Sequence, residues 1–411
     1  MKTLYSIAIS VVSLLLHMAG LYNPKLKKGI VGRRETFEKL RSAIQPKDAV
    51  LWFHCASLGE YEQGLPVFEA LKEKYPNRKV VLSFFSPSGY ENKKNAPIAD
   101  VVVYLPLDKT SSMKTFLDLT HPDLIVFVKY EFWPNLLSEI KRRQLKAILI
   151  SAIIRKDQSF FKWYGGFMKK ALFAFEHIFV QDEASKRNLL DLGYQTVTVS
   201  GDTRFDRVTA QLQLDNQLDM MDTFKDGKLL VVFGSSWPAD DDLFIPYINE
   251  FENNNVKFVI TPHDVKLSYT EKLVRQIDKK MVTYSGLNTS ELKESVVFIV
   301  DTIGILNKIY SYADIAYVGG AAGTTGLHNI LEPAVFGIPV IIGKNYSKFP
   351  EASKLIDLGG VVSVDSPKEF KKTITHLLKD ESTRLRIGKI NHDYITENSG
   401  AVTRIMTYFS K

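Results

Sequence analysis

Val318-Gly319-Gly320-Ala321-Ala322-Gly323-Thr324-Thr325-Gly326-Leu327-His328-Asn329-Ile330-Leu331-Glu332 is the stretch on which the fold turns. It continues the short apolar run 315–318, passes through a glycine-rich turn and enters a helical pattern. That order is the junction of a βαβ unit. It lets backbone N–H groups approach a phosphate and aims a helix N-terminus at it. Glycines alone are weak evidence of a ligand. Glu332 strengthens the reading, because three residues beyond Asn329 its carboxylate lies one turn into the helix, placed to accept hydrogen bonds from ribose hydroxyls.

Working outward, short runs rich in Val, Ile and Phe alternate with amphipathic stretches of helical length, the pattern of βαβ units and parallel sheets. The runs predict strands at 49–54, 79–85, 101–105, 123–128, 146–151, 177–180 and 196–199. A second series follows at 228–233, 256–260, 296–300, 315–318, 339–342 and 361–364. Between the two series, 211–227 is polar and lacks a strand pattern, so it reads as an inter-domain connection. The expected architecture is α/β: two Rossmann-like domains, 25–207 and 208–390, facing each other across a cleft. The stretch 391–411 reads as a helical tail.

In a doubly wound sheet, ligands bind just beyond the carboxyl ends of the strands. In the second series this places Ser235 and Ser236, Thr261-Pro262-His263 and Ile303-Gly304-Ile305 in one nucleotide pocket with Gly319, Gly320 and the run His328-Asn329-Ile330-Leu331-Glu332. In the first series, Phe53-His54-Cys55-Ala56-Ser57-Leu58-Gly59-Glu60 ends a strand and opens a helix with a carboxylate able to act as a base. The plainer reading is that Glu60 complements the positive end of its helix. Glu131, in Val128-Lys129-Tyr130-Glu131-Phe132-Trp133-Pro134-Asn135, is a second strand-end carboxylate, and Trp133 reads as core. Arg204, in Ser200-Gly201-Asp202-Thr203-Arg204, can reach a phosphate or form a domain-linking ion pair with a neighbouring Asp.

A chain of 411 residues with 45% hydrophobic and 24% charged content can bury a large core. Its formal charge of +7 suits nucleic acid, an anionic membrane or a phosphorylated substrate. The single cysteine, Cys55, excludes an intramolecular disulfide framework and any paired-cysteine zinc motif. It ends an apolar strand, where a poorly reactive thiol is the common case. Residues 4–21 carry no charge and are just long enough to cross a bilayer, so 1–24 reads as a membrane anchor. Lys25, Lys27, Lys28, Arg33 and Arg34 follow, which places the remainder in the cytoplasm. A cleaved signal peptide or an interfacial helix is the alternative. Asp240-Asp241-Asp242 reads as a solvated helix start, and the scattered histidines form no metal-ligand spacing. No metal or other cofactor is expected.

Five pieces in order, His54 to Glu60 (H-x-A-S-x-G-E), Glu131 with Trp133-Pro134-Asn135, Gly201 with Phe205-Asp206, Asp301-Thr302 with Gly304, and Val318-Gly319-Gly320 with His328-Asn329 and Glu332, make the chain resemble the Kdo (3-deoxy-D-manno-octulosonic acid) transferases of lipopolysaccharide synthesis, which have the GT-B fold. The resemblance spans nearly the whole length. It implies an inverting, metal-independent transfer of Kdo from CMP-Kdo to a lipid A precursor at the inner membrane, with no nucleic-acid partner. It further implies that Glu60 is the general base, that Glu131 and Arg204 support the transition state, and that CMP lies along Thr261-Pro262, 303–305 and 329–332. The chain departs from the family in having Arg204 for a frequent Lys, Ile153 for a frequent Arg, and no Arg within Thr261-Pro262-His263. A GT-B enzyme using a UDP-sugar and a non-catalytic nucleotide-sugar binder remain as alternatives from the residues alone.

Overall fold

The computed structural model describes residues 2–410. They form two compact units, one running to Arg207 and regaining the chain from Ser399, the other Val208–Asn398. The first contains β1 (Val50–Cys55), β2 (Lys79–Phe84), β3 (Val101–Tyr104), β4 (Leu124–Val128), β5 (Ala147–Ala152), β6 (His177–Val180) and β7 (Val197–Val199). All pair in parallel, in the order β3-β2-β1-β4-β5-β6-β7. The near-continuous apolar runs follow from burial on both faces. In β1, Val50 and Trp52 join one core cluster, whereas Leu51, Phe53 and Cys55 join the other. After β1 the chain steps outward to β2 and β3, then returns to the opposite side of β1 as β4.

The second unit has β8 (Leu229–Ser236), β9 (Val256–Pro262), β10 (Met281–Thr283), β11 (Val297–Ile299), β12 (Ile315–Val318), β13 (Val340–Gly343) and β14 (Val361–Val364). Its order is β10-β11-β9-β8-β12-β13-β14, again parallel. Here the reversal falls between β8 and β12. Strand β10 escaped the sequence reading because Met281-Val282-Thr283 has only two apolar residues, whereas the equally short β11 lies in the apolar run 296–300. The polar connection 211–227 contains a short helix, Asp219–Lys225, that buries Met221 and Phe224. Residues 391–398, expected in the tail, complete the helix Glu381–Asn398 of the second unit. Only the stretch from Ser399 returns to the first. Its helix Ala401–Tyr408 is held there by Asp206, whose carboxylate accepts the amides of Gly400, Ala401 and Val402 at 3.0–3.2 Å.

The amino terminus corrects an expectation. Residues Lys2–Ala19 form a helix, α1, but among the described residues no helix is long and apolar enough to cross a membrane. Eighteen residues extend about 27 Å, short of the ~30 Å hydrocarbon core. Tyr5 donates to Asp108 at 2.9 Å and Asn135 Nδ2 donates to Ser6 Oγ at 3.4 Å, so the start of α1 is tied to polar groups of the first unit. Arg33, in helix α2 (Pro24–Ala43), donates to the carbonyls of Leu105 and Phe85 at 3.1 and 2.5 Å.

Candidate functional site

In the first unit, the reversal between β1 and β4 collects two of the expected residues. Helix α3 (Leu58–Lys74) is capped by Ser57, whose hydroxyl accepts the Glu60 amide at 3.5 Å. The Glu60 carboxylate folds back and accepts the Ala56 amide at 2.5 Å. The plainer reading of Glu60 as a helix-start residue is therefore also true. Its environment adds something more. Burial, then the negative charge of Glu131, push the Glu60 carboxyl up to about 7, against the opposing pull of the Ala56 amide and Lys129. A carboxylate poised there is matched to proton transfer near neutral pH. Cys55 is buried, and burial followed by neighbouring carboxylates holds its thiol well above the usual range, which fits an inert residue.

Glu131 reaches the same place because Lys129, the first residue past β4, takes a left-handed φ of 70° that turns the chain sharply. Such backbone is uncommon outside glycine and gathers at functional sites. One oxygen of Glu131, Oε2, is held by two nitrogens, Trp133 Nε1 at 2.6 Å and His54 Nε2 at 2.8 Å. Trp133, expected only as core, is thus half packing residue and half donor. His54 is fully buried and sits directly opposite Ser83 in the β1–β2 register, its Nδ1 2.8 Å from the Ser83 hydroxyl. Ser83 lay in a featureless apolar run, and only the register reveals its part.

Arg204 donates through Nε and Nη2 to Asp202 Oδ2 at 2.8 and 2.7 Å, and Asp202 Oδ1 also accepts Gln63 Nε2 of α3 at 2.7 Å. Both ends of this ion pair lie in the first unit, so it does not link the domains.

In the second unit, the C-terminal ends of the adjacent strands β9, β8 and β12 bring together most of the expected nucleotide residues. Ser235 has a left-handed φ of 54°, at a register slip between Gly234 and Ser236. Thr261 Oγ1 accepts the Ser235 amide at 3.3 Å, and the His263 amide donates to Ser236 O at 3.0 Å. Trp237 stacks on His263 at 4.5 Å and donates to His328 Nε2 at 2.9 Å. Burial, then His263, lower His328 to about 4, and burial also lowers His263, so this imidazole pair is neutral at physiological pH.

The glycine turn is braced from within. Asp240 is fully buried, not solvated as its sequence context suggested. It accepts from the amides of Trp237, Gly320 and Ala322 and from the Tyr317 hydroxyl, at 2.9, 2.8, 3.3 and 2.7 Å. Asp241 is buried beside it and accepts from Tyr269. Two of the turn's amides therefore point at a carboxylate of the protein. A Cβ on Gly319 would lie 2.4 Å from Ser235 O, and Gly320 has φ 96° with a Cβ site 2.0 Å from Gly326 O, so the turn admits neither side chain. The helix after it, Leu331–Ala334, is a single turn, too short for the helix-dipole role expected of it. Asn329 caps it by accepting the Leu331 amide at 3.2 Å and donates to Glu332 Oε1 at 3.1 Å. Ile330 and Leu331 are core, which leaves only their backbone for a ligand. Of 303–305, Ile303 is 75% exposed and Gly304 has φ 96°.

Two parallel α/β units with polar residues at both reversals have a GT-B-like architecture. The fold is similar to that of the UDP-GlcNAc 2-epimerase from Neisseria meningitidis, solved bound to UDP-GlcNAc, at TM-score 0.62 and 16% identity over 88% of this chain and 100% of that one. It is also similar to the UDP-GlcNAc 2-epimerase from Methanocaldococcus jannaschii, at TM-score 0.53 and 13% identity over 88% and 99%. Residues 31–207 match the family model described as 3-deoxy-D-manno-octulosonic-acid transferase (kdotransferase). The 3-deoxy-D-manno-octulosonic acid transferase of Haemophilus influenzae is 27% identical over 89% of this chain and 87% of its own length. That of Chlamydophila psittaci is 29% identical over 88% and 85%. Over most of its length the chain is thus similar to 3-deoxy-D-manno-octulosonic acid (Kdo) transferases.

Proposed function

We propose that the enzyme transfers Kdo from CMP-Kdo to a lipid A precursor of the lipid IVA type, with inversion, and that Glu60 is the general base. The observation that carries this reading is a carboxyl held at about 7 beside a second, firmly hydrogen-bonded carboxylate at the β1/β4 reversal. Glu60 takes the proton from a sugar hydroxyl of the acceptor as that oxygen attacks the anomeric carbon of Kdo. CMP leaves from the opposite face. Glu131 stabilises positive charge that develops on the sugar ring, and Arg204, steadied by Asp202, stabilises the departing phosphate. CMP binds the second unit along Ser235-Ser236, 261–263, 303–305 and Gly319-Gly320, with Asn329 and Glu332 at the ribose and His328 beside the turn.

Transfer proceeds without a divalent metal. Hydrogen-bond donors of the second unit and Arg204 carry the leaving group instead. The enzyme works at the cytoplasmic face of the inner membrane, where α1 lies in the plane of the bilayer. Leu4, Ile7, Val11, Leu14, Leu15 and Met18 form an exposed stripe at helical spacing, and Trp163 and Tyr164 are exposed just before a helix whose Phe167 touches Tyr5.

The deciding experiment compares wild type with Glu60→Gln, in single turnovers from CMP-Kdo to a phosphorylated, acylated disaccharide and in calorimetric titration with CMP. Transfer should fall by about two to four orders of magnitude while CMP affinity stays unchanged. Near-normal turnover, or loss of CMP binding in a folded variant, would overturn the base assignment.

A further inference from the structure

We propose that Ser83 and His54 are positioning residues for the transfer reaction, a buried relay that keeps His54 in its neutral Nε2–H form so that the Glu131 carboxylate stays fixed and charged beside the base. The proposal rests on the reading of Glu60 as that base.

The hydrogen positions follow from the partners. Trp52, two residues before His54 on β1 and on the same face of the sheet, has an indole N–H that only donates, and it meets the Ser83 hydroxyl oxygen at 2.7 Å. The hydroxyl's own proton is left for another acceptor. His54 Nδ1 lies 2.8 Å away, whereas the competing Phe53 carbonyl is 3.5 Å away. Receiving that proton makes Nδ1 an acceptor, so a neutral ring carries its proton on Nε2, where Glu131 Oε2 waits at 2.8 Å. The whole chain Trp52, Ser83, His54 and Glu131 is buried, Glu131 being 5% exposed and the other three 0%. A misplaced proton there has no water to correct it.

A second acceptor is built into the same spot. The Ser83 carbonyl oxygen is 3.1 Å from His54 Nδ1 and can only accept. Without the Ser83 hydroxyl, this carbonyl calls for a proton on Nδ1 while Glu131 calls for one on Nε2, and the ring becomes imidazolium. The His54–Glu131 pair then changes from net −1 to neutral. The charged groups facing Glu60 are Glu131 and Lys129 after β4, with Cys55 and Glu62 close to the same cluster, and His54 on β1 joins them only when its ring is protonated. Adding a positive charge to this set favours the ionised form of Glu60 and weakens the negative field offered to the transition state.

The test is Ser83→Ala, a small change that leaves every residue named in binding and catalysis intact, with His54→Gln as its control, since Gln keeps a neutral N–H toward Glu131. Nitrogen-15 NMR of imidazole-labelled enzyme should show wild-type His54, identified as the signal missing from His54→Gln, with one protonated and one unprotonated nitrogen at neutral pH. Ser83→Ala should show both protonated. Its acid limb in kcat/KM should move down by about half to one pH unit, and its kcat should fall about tenfold with little change in KM for CMP-Kdo. His54→Gln should keep the wild-type limb. A wild-type His54 protonated on both nitrogens, or a Ser83→Ala enzyme with unchanged ring and unchanged limb, overturns the relay. Because the ring signals are read without turnover, they stand even if Glu60→Gln shows the base to be another group.

Discussion

The β1/β4 reversal of the first unit and the β8/β12 reversal of the second are the same place in two sheets of nearly the same order, yet their carboxylates are held in opposite ways. At β1/β4, burial and then the nearby Glu131 raise Glu60 toward neutrality. At β8/β12, Asp240 is turned inward and its four donors brace a turn of glycines. Both strand ends use a left-handed non-glycine, Lys129 in one and Ser235 in the other, to change direction abruptly. Topology supplies the position in both cases. Whether an acid there is left near neutrality or holds backbone as a carboxylate depends on how many donors surround it.

That contrast breaks most visibly if Asp240 is removed. Asp240→Ala should destabilise the second unit by about 3–5 kcal/mol, since buried amides and a buried hydroxyl lose their acceptor together. Urea denaturation should show it, with CMP affinity lost in parallel. A loss under 1 kcal/mol would mean that the turn is self-supporting. The next largest effect concerns Glu332, which the proposed ribose contact needs and the brace does not. Glu332→Gln should weaken CMP by about 1.5–3 kcal/mol through loss of charge-assisted hydrogen bonds, roughly ten- to hundredfold in dissociation constant. Calorimetry reads this directly, and an unchanged dissociation constant would remove Glu332 from the nucleotide site.

What was legible in the sequence follows the same division. The parallel α/β pattern, the two domains and the strand-end carboxylates could be read because buried parallel strands are continuous apolar runs and the ligand side of such sheets is fixed by topology. Strand β10, with only Met281 and Val282 apolar, offered no run to read. The burial of Asp240 was invisible, since Asp-Asp-Asp after a proline looks the same whether it meets water or a ring of amides. The part played by Ser83 depends on a cross-strand register that links residues 29 apart in sequence. The stretch 4–21 misled as a span because hydropathy alone does not show that Tyr5 and Ser6 contact Asp108 and Asn135.

The smallest effect sharpens the comparison from the stability side. A carboxyl whose folded-state pKa is raised, as that of Glu60 is from 4.5 to about 7, folds more easily protonated than ionised. The stability it contributes is fully present below the unfolded value near 4.5 and is lost as pH rises through the folded value near 7. Glu60→Gln mimics the protonated form at every pH and can still accept from the Ala56 amide. Wild type and variant should therefore be equally stable at pH 4, and the variant should be more stable at pH 8 by about 1–2 kcal/mol, the full shift being reduced because Glu60 is partly exposed. The inactive enzyme would then be the sturdier one, as expected of a site where function holds a charge in an unfavourable place. Thermal unfolding at the two pH values measures it. A gap that is the same at pH 4 and pH 8 would show that Glu60 titrates as an ordinary surface glutamate, and the distinction drawn between the two reversals would lose its electrostatic half.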